Sequence, residues 1–243
     1  MSSFLSLSDL KDRGAWQAAL AEFIALFLFV FLGAGAVVGT GIAGGAALTA
    51  ERLTAIALAH GLAIAVLVAA TARFSGGHIN PAVTIAAVVT RKMGMAKGGM
   101  YVVAQLLGAA LGAFLLAAVV PDAAEGALGG HALNVDVVVG QGLVVEIVLT
   151  FALVFVIFAT AIDPKGPGHL APFAIGLVVM VDHFVGVPLT GASMNPARSF
   201  GPAIATGMWA DQWVYWVGPI VGGVIAAVLY EMVYIKGRKD VAV

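Results

Sequence analysis

Asn80 and Asn195 stand 115 residues apart, each heading the same Asn-Pro-Ala tripeptide. The first lies in Ser75-Gly76-Gly77-His78-Ile79-Asn80-Pro81-Ala82-Val83-Thr84, the second in Thr190-Gly191-Ala192-Ser193-Met194-Asn195-Pro196-Ala197-Arg198-Ser199. Asparagine is a strong helix N-cap, and a proline directly after it suits the first helical position, where its missing N–H is not needed. Each copy therefore reads as a loop entering a short helix. The chemistry on offer is hydrogen bonding. Asn80 and Asn195 can point amide N–H donors into a lumen, and the extended runs Gly76-Gly77-His78 and Gly191-Ala192-Ser193 can line a path with carbonyl acceptors. Each helix N-terminus adds about half a positive charge and unpaired N–H groups, and Arg198 adds a full one. Central donors, flanking acceptors and a positive field suit a small neutral solute and oppose cations.

The elements that must hold these residues are apolar. Of 243 residues, 61% are hydrophobic and 10% charged, whereas soluble domains carry about 25% charged residues. The chain reads as an integral membrane protein with the lipid bilayer as its surroundings. Six stretches, about 15–39, 53–73, 98–120, 141–161, 170–188 and 212–235, have the length and apolarity of membrane-spanning helices. Two more, about 80–90 and 195–206, reach only halfway across at about 1.5 Å per residue. They read as re-entrant half-helices. The net charge of −1 offers nothing to nucleic acid, and there is no cysteine. No nucleotide loop or metal cluster is visible, so neither an enzyme activity nor a cofactor or metal is expected. The residues before Trp16 mix acids and bases and lack the layout of a signal peptide.

The two halves align. A shift of 115 lays Gly61-Leu62 on Gly176-Leu177, Gly76 on Gly191 and Asn80-Pro81-Ala82 on Asn195-Pro196-Ala197; a shift of 114 lays Tyr101 on Tyr215 and Leu107-Gly108 on Val221-Gly222. Glu22 and Glu146 sit alike in the first helix of each half. The repeats run over about 15–120 and 140–235 within one domain, 1–243. Each holds three spans, an odd number, so the second is inverted relative to the first. Inverted repeats place a site near the bilayer midplane, built from broken helices. The expected fold is all-α, six transmembrane helices plus two re-entrant half-helices.

Charge supplies the orientation. With the N-terminus inside, Lys11, Arg13, Arg73, Arg91, Lys92, Lys97, Lys165, Lys236, Arg238 and Lys239 all fall on the cytoplasmic side, as the positive-inside rule requires. The segment 121–140 has no Lys or Arg and contains Asp122, Glu125 and Asp136, which marks it as an external loop. Both termini are then cytoplasmic, and the expected address is the cell (inner) membrane. Arg52, at an external helix start, and Arg198 are the exceptions.

Both boxes, the inverted repeat and the Arg after the second box resemble the major intrinsic protein family, the aquaporins and aquaglyceroporins, over roughly 15–235. The resemblance implies the aquaporin-like fold, one pore per subunit and a homotetramer. It implies a narrowest point formed by His60, His183, Ala192 and Arg198. His183 and Arg198 are similar to water-specific members. His60 stands where those members carry Phe, and resembles the plant tonoplast intrinsic protein branch, as do Ala21-Glu22-Phe23 and Ala161-Ile162-Asp163-Pro164-Lys165. Ser199, Ala203 and Tyr215-Trp216 occupy the places where glycerol conductors carry an acid, a base and a Pro-plus-aliphatic pair, and look like the water-channel pattern. The implied activity is passive conduction of water with rejection of ions and protons, ammonia and other small neutral solutes remaining open. A channel mainly for ammonia, urea or glycerol is the alternative, and a proton-coupled transporter using Glu22, Glu146 and His183 a more distant one.

Within that frame Glu22 and Glu146 are better read as buried acceptors that hold the half-helix loops than as proton-relay acids. His78 is read as structural, His131 as an external-loop residue able to approach the opening, His169 as a weak candidate for a pH gate, and Asp182 as a helix-end or interface acid.

Overall fold

The computed structural model describes residues 4–41, 44–121 and 126–238. Asp122, Glu125 and Lys239, used above for orientation, lie outside the described residues. The regular elements among these are helices: α1 (Arg13–Gly39), α2 (Ala50–Ser75), α3 (Pro81–Val89), α4 (Met95–Val119), α5 (Val139–Ile157), α6 (Ala171–Thr190), α7 (Pro196–Thr206) and α8 (Val214–Tyr230), with short 3-10 and π turns beside them. Six of the helices are long and apolar enough to cross a bilayer, and the chain is a multi-pass integral membrane protein. The helical state follows from the solvent: in hydrocarbon every backbone N–H and C=O must be paired within the segment.

The ends are written in the sequence. Asp12 accepts from the backbone N–H groups of Gly14 and Ala15 to start α1, and Thr49 accepts from Arg52 to start α2. The helices α2 and α6 both end on a glycine in the left-handed region, Gly76 at φ 88° and Gly191 at φ 86°.

Pairing within each half is matched. The α1 helix packs on α4 and α5 packs on α8, while α2 and α6 cross each other between the halves. The half-helices pack reciprocally, α3 against α8 and α7 against α4. Small residues permit these approaches. A Cβ on Gly61 would sit 2.7 Å from the Gly176 carbonyl oxygen, and one on Gly176 would sit 2.5 Å from that of Gly61. Gly108 and Gly222, matched by the 114-residue shift, press onto the Phe23 and Ile147 carbonyls in the same way.

Asp182 does not sit at a helix end. It is buried in the body of α6, and its Oδ2 has no hydrogen-bond partner among the described residues. His169 lies in an exposed 3-10 turn, Gly168–Leu170.

Candidate functional site: two half-helix N-termini facing each other

The site is assembled from the two loops that precede α3 and α7. In each, the asparagine caps its own helix: Asn80 Oδ1 accepts from Ala82 N at 2.8 Å, and Asn195 Oδ1 accepts from Ala197 N at 3.1 Å and Arg198 N at 3.2 Å. Each amide then donates across to the other loop. Asn80 Nδ2 donates to the Met194 carbonyl and Asn195 Nδ2 to the Ile79 carbonyl, both at 2.7 Å. The lumen reading of these amides is thereby corrected in part. One N–H of each ties the halves together, which leaves the second for the cavity that both residues line.

Reaching this geometry strains the backbone. Ile79 and Met194 have φ of 50° and 51°, and Gly77 and Ala192 have 63° and 62°. Positive φ is unfavourable for any side chain and most so for a β-branched one, at roughly 1–3 kcal/mol each. Two buried carboxylates hold the strained segments. Glu22 accepts from His78 N at 2.9 Å, Ile79 N at 2.6 Å, Ser75 Oγ at 2.6 Å and Gln105 Nε2 at 2.8 Å. Glu146 accepts from Ser193 N at 3.0 Å, Met194 N at 2.8 Å and Thr190 Oγ1 at 2.7 Å. Tyr101 and Tyr215 complete the pattern by donating to the Ser75 and Thr190 carbonyls. Without these acceptors several buried N–H groups would be unpaired, at about 1–3 kcal/mol each.

Beyond the second loop, His60, His183 and Arg198 form one cluster. The His60 and His183 rings stack with centroids 4.3 Å apart and planes at 29°. His60 Nδ1 lies 2.9 Å from the Ile56 carbonyl and His183 Nδ1 lies 2.8 Å from that of Val179. A carbonyl can only accept, so Nδ1 carries the proton in both rings and Nε2 is left as an acceptor. His60 Nε2 accepts from Arg198 Nε at 3.4 Å and Nη2 at 3.2 Å. Arg198 is 2% exposed, and its Nη1 has no hydrogen-bond partner among the described residues. Ala192 is buried, its methyl facing Gly186 of α6.

Several participants were not legible as such. Gly33 of α1 makes room for His60, since a Cβ there would lie 2.7 Å from its Nε2. Gln105 joins Glu22 to Thr84. His131, read from the sequence as an external-loop residue able to approach the opening, is buried and bonds Ser199 Oγ through Nδ1 at 2.7 Å, and Ser199 in turn bonds Ser193. This ties the loop before α5 to the start of α7, next to Arg198. Burial, the Arg198 guanidinium and His183 hold the His131 imidazole well below the usual histidine range. The 115-residue shift was the available signal, because it pairs Ser75 with Thr190 and Thr84 with Ser199. His78 matches Ser193: its Nδ1 is 3.0 Å from Thr84 Oγ1, as Ser193 bonds Ser199.

Three cavities follow one another. A central one of about 30 Å³ is lined by both asparagines, Ile79, Met194 and His183. It has room for about two waters. One of about 280 Å³ lies on the side of His60, Gly191 and Arg198. One of about 300 Å³ lies on the opposite side, against Gly76, Ala72 and Ile162.

Comparison with known proteins agrees with this geometry. The profile described as major intrinsic protein matches residues 9–230. The chain is 48% identical to Aquaporin TIP4-4 of Zea mays over 92% of this chain and 88% of that protein. It is 46% identical to Aquaporin-4 of Mus musculus over 96% of this chain and 72% of that one. Its fold superposes on the aquaglyceroporin from Plasmodium falciparum with a TM-score of 0.79 at 26% identity, covering 91% of this chain and 98% of the other. The facing half-helices, the matched carboxylates and these likenesses have one reading: the chain belongs to the major intrinsic protein family.

Proposed function

We propose that this protein is a passive channel that conducts water through each subunit and rejects ions and protons. The observation that carries the reading is the reciprocal pair of bonds between Asn80 and the Met194 carbonyl and between Asn195 and the Ile79 carbonyl. It puts two helix N-termini and two spare amide donors around a cavity of about 30 Å³. A water there is oriented by donors on both sides, and the positive helix ends oppose a cation. His60, His183, Ala192 and Arg198 are the selectivity filter in this reading. Arg198 supplies donors and charge, His183 and His60 supply acceptors, and the small Ala192 leaves the backbone to face the path. The runs Gly76-Gly77-His78 and Gly191-Ala192-Ser193 supply the carbonyls of the approach. Glu22 and Glu146, filled with hydrogen bonds from their loops, act as anchors and not as a proton relay.

The polar rings offer little to a glycerol carbon backbone, which favours water as the main solute. The names of the relatives, Aquaporin TIP4-4 and Aquaporin-4, point the same way. The chain acts as a single domain of two inverted repeats, four copies make a homotetramer, and both termini face the cytoplasm at the cell membrane. Reconstitution into liposomes with light scattering after an osmotic jump tests the activity. Shrinkage faster than that of empty vesicles, with low activation energy and little glycerol uptake, is expected. Shrinkage at the rate of empty vesicles, or saturable uptake driven by a proton gradient, would overturn the reading.

A further inference from the structure

The 115-residue shift assigns every filter position a partner in the other half. His60 maps to Ile175, His183 to Val68, Ala192 to Gly77 and Arg198 to Val83. These partners are together in space. Val68, Gly77, Val83 and Ile175 each line both the central cavity of about 30 Å³ and the cytoplasmic-side cavity of about 300 Å³, together with His78 and Ile157. Residues that border two adjoining cavities are the partition between them. Val68 and Val83 are 4% exposed and Ile175 is 5% exposed. Gly77 is pressed onto the same wall, where a Cβ would meet Val68 at 3.2 Å.

We propose that Val68, Gly77, Val83 and Ile175 form a second constriction, the apolar counterpart of the His60–His183–Ala192–Arg198 ring, and that it sets a size limit from the cytoplasmic side. This rests on the channel reading above. The two rings work by different physics. The Arg198 ring replaces a solute's lost hydrogen bonds with its own donors and acceptors. The four positions of the Val83 ring carry no polar side chain, and the one polar side chain on the same wall, His78, has its Nδ1 engaged by Thr84 Oγ1 at 3.0 Å. Whatever crosses the ring must therefore keep most of its hydrogen bonds to neighbouring molecules in single file. Water can do this, and a hydrated ion cannot without shedding its shell, the basis of gating by dewetting. A carbon-bearing solute is stopped here by width even where the polar ring has been widened. The small central cavity thus lies between two screens, one chemical and one steric.

The test uses the full-length protein in liposomes, with water and glycerol fluxes measured in the same preparations of wild type, His183→Ala, Ile175→Ala and the double variant. Water flux above empty vesicles in the wild type establishes the channel by itself, and its absence would sink that reading rather than this one. Water flux in each variant reports that the pore is folded. The double variant is expected to pass glycerol about tenfold faster than His183→Ala alone, the order of discrimination that a few methylene-sized obstructions supply, while Ile175→Ala alone stays near wild type. A double variant no faster for glycerol than His183→Ala overturns the proposal. Val83→Ala in place of Ile175→Ala is expected to behave in the same way, and guards against a folding defect peculiar to Ile175.

Discussion

At Glu22 a carboxylate holds Ser75, His78, Ile79 and Gln105; at Glu146 another holds Thr190, Ser193 and Met194. Backbone angles agree to within a few degrees, with Ile79 at 50° against Met194 at 51° and Gly76 at 88° against Gly191 at 86°. The interiors of the two loops are therefore near copies. Their surroundings are not. Thr84 is braced by Gln105 from inside the helix bundle, whereas Ser199 is braced by His131 from a loop. Val83 stands in one half where Arg198 stands in the other. The comparison teaches that the fold constrains what bends the chain, and leaves free what faces the path. On the reading proposed above, the repeated parts make the pore and the unrepeated parts make it selective.

Breaking a repeated part should have the largest effect. Glu146→Ala strands two backbone N–H groups and a hydroxyl in the interior, and Glu22→Ala does the equivalent in the other half. Either should lower stability by roughly 3–5 kcal/mol, two or three buried donors being left unpaired at about 1–3 kcal/mol each, and abolish water flux. Thermal unfolding in detergent together with liposome shrinkage reads both effects. A Glu22→Ala protein that stayed folded while Glu146→Ala did not would show that the two anchors are unequal.

An unrepeated part can be erased by copying one half onto the other. Arg198→Val gives the second loop the residue of the first. Water flux should persist within about threefold, while proton or cation leak rises by about tenfold or more, one full positive charge having left a site of low dielectric. A pH-sensitive dye inside the vesicles measures it. An unchanged leak would move the ion barrier from Arg198 to the helix ends or to the apolar ring.

The brace at His131 should matter less. His131→Ala removes its bond to Ser199 and should lower stability by about 1 kcal/mol, with Gln105→Ala in the other half serving as the reference. The pH dependence has a definite sign. Because His131 is held well below the usual histidine range, the unfolded chain takes up its proton first. Its contribution is complete above about pH 6.5 and declines as the pH falls further. Melting temperatures between pH 7 and pH 5 should drop less steeply in His131→Asn than in wild type; equal slopes would mean that the ring is more open to solvent than its burial indicates.

The smallest effect belongs to the end of the chain farthest from the comparison. Asp163 accepts from Arg238 and Tyr230, and the Arg238 hydrogen bond, ahead of other causes, draws its carboxyl down to about 2. That stabilisation is present above about pH 3.9, the ordinary aspartate value, and is lost as the pH falls toward 2. Asp163→Asn should cost about 0.5 kcal/mol, as a partly exposed ion pair does, visible in thermal unfolding, with water flux unaltered.

Much of the fold was legible because membrane helices advertise themselves by length. The expected span 15–39 is Arg13–Gly39, 98–120 is Met95–Val119, and the short stretch 80–90 is Pro81–Val89. The ends shifted by two or three residues where caps such as Asp12 and Thr49 precede the apolar run. The π turn Phe158–Ile162 after α5 had no sequence signal. At the site, Asn80 and Asn195 announce themselves through the proline that follows them, and Arg198 through its cost in an apolar setting. The strain at Ile79 and Met194 is invisible, because neither residue type favours positive φ and only the distant carboxylates enforce it. Gln105 is likewise a long-range partner, 21 residues from Thr84, which local pattern cannot predict. The sequence reads His131 as able to approach the opening, but carries no signal for its bond to Ser199, 68 residues away. Asp182 is expected at a helix end or an interface; its burial in the body of α6 with Oδ2 unpartnered among the described residues has no signal in the local pattern.

The most direct test of the central claim is simultaneous measurement of water and proton flux in vesicles holding the wild-type protein, with an osmotic gradient and a pH gradient imposed together. The account predicts rapid shrinkage while the internal pH changes no faster than in empty vesicles. Shrinkage accompanied by fast collapse of the pH gradient would contradict it, since a water file that also conducts protons is not interrupted at Asn80 and Asn195.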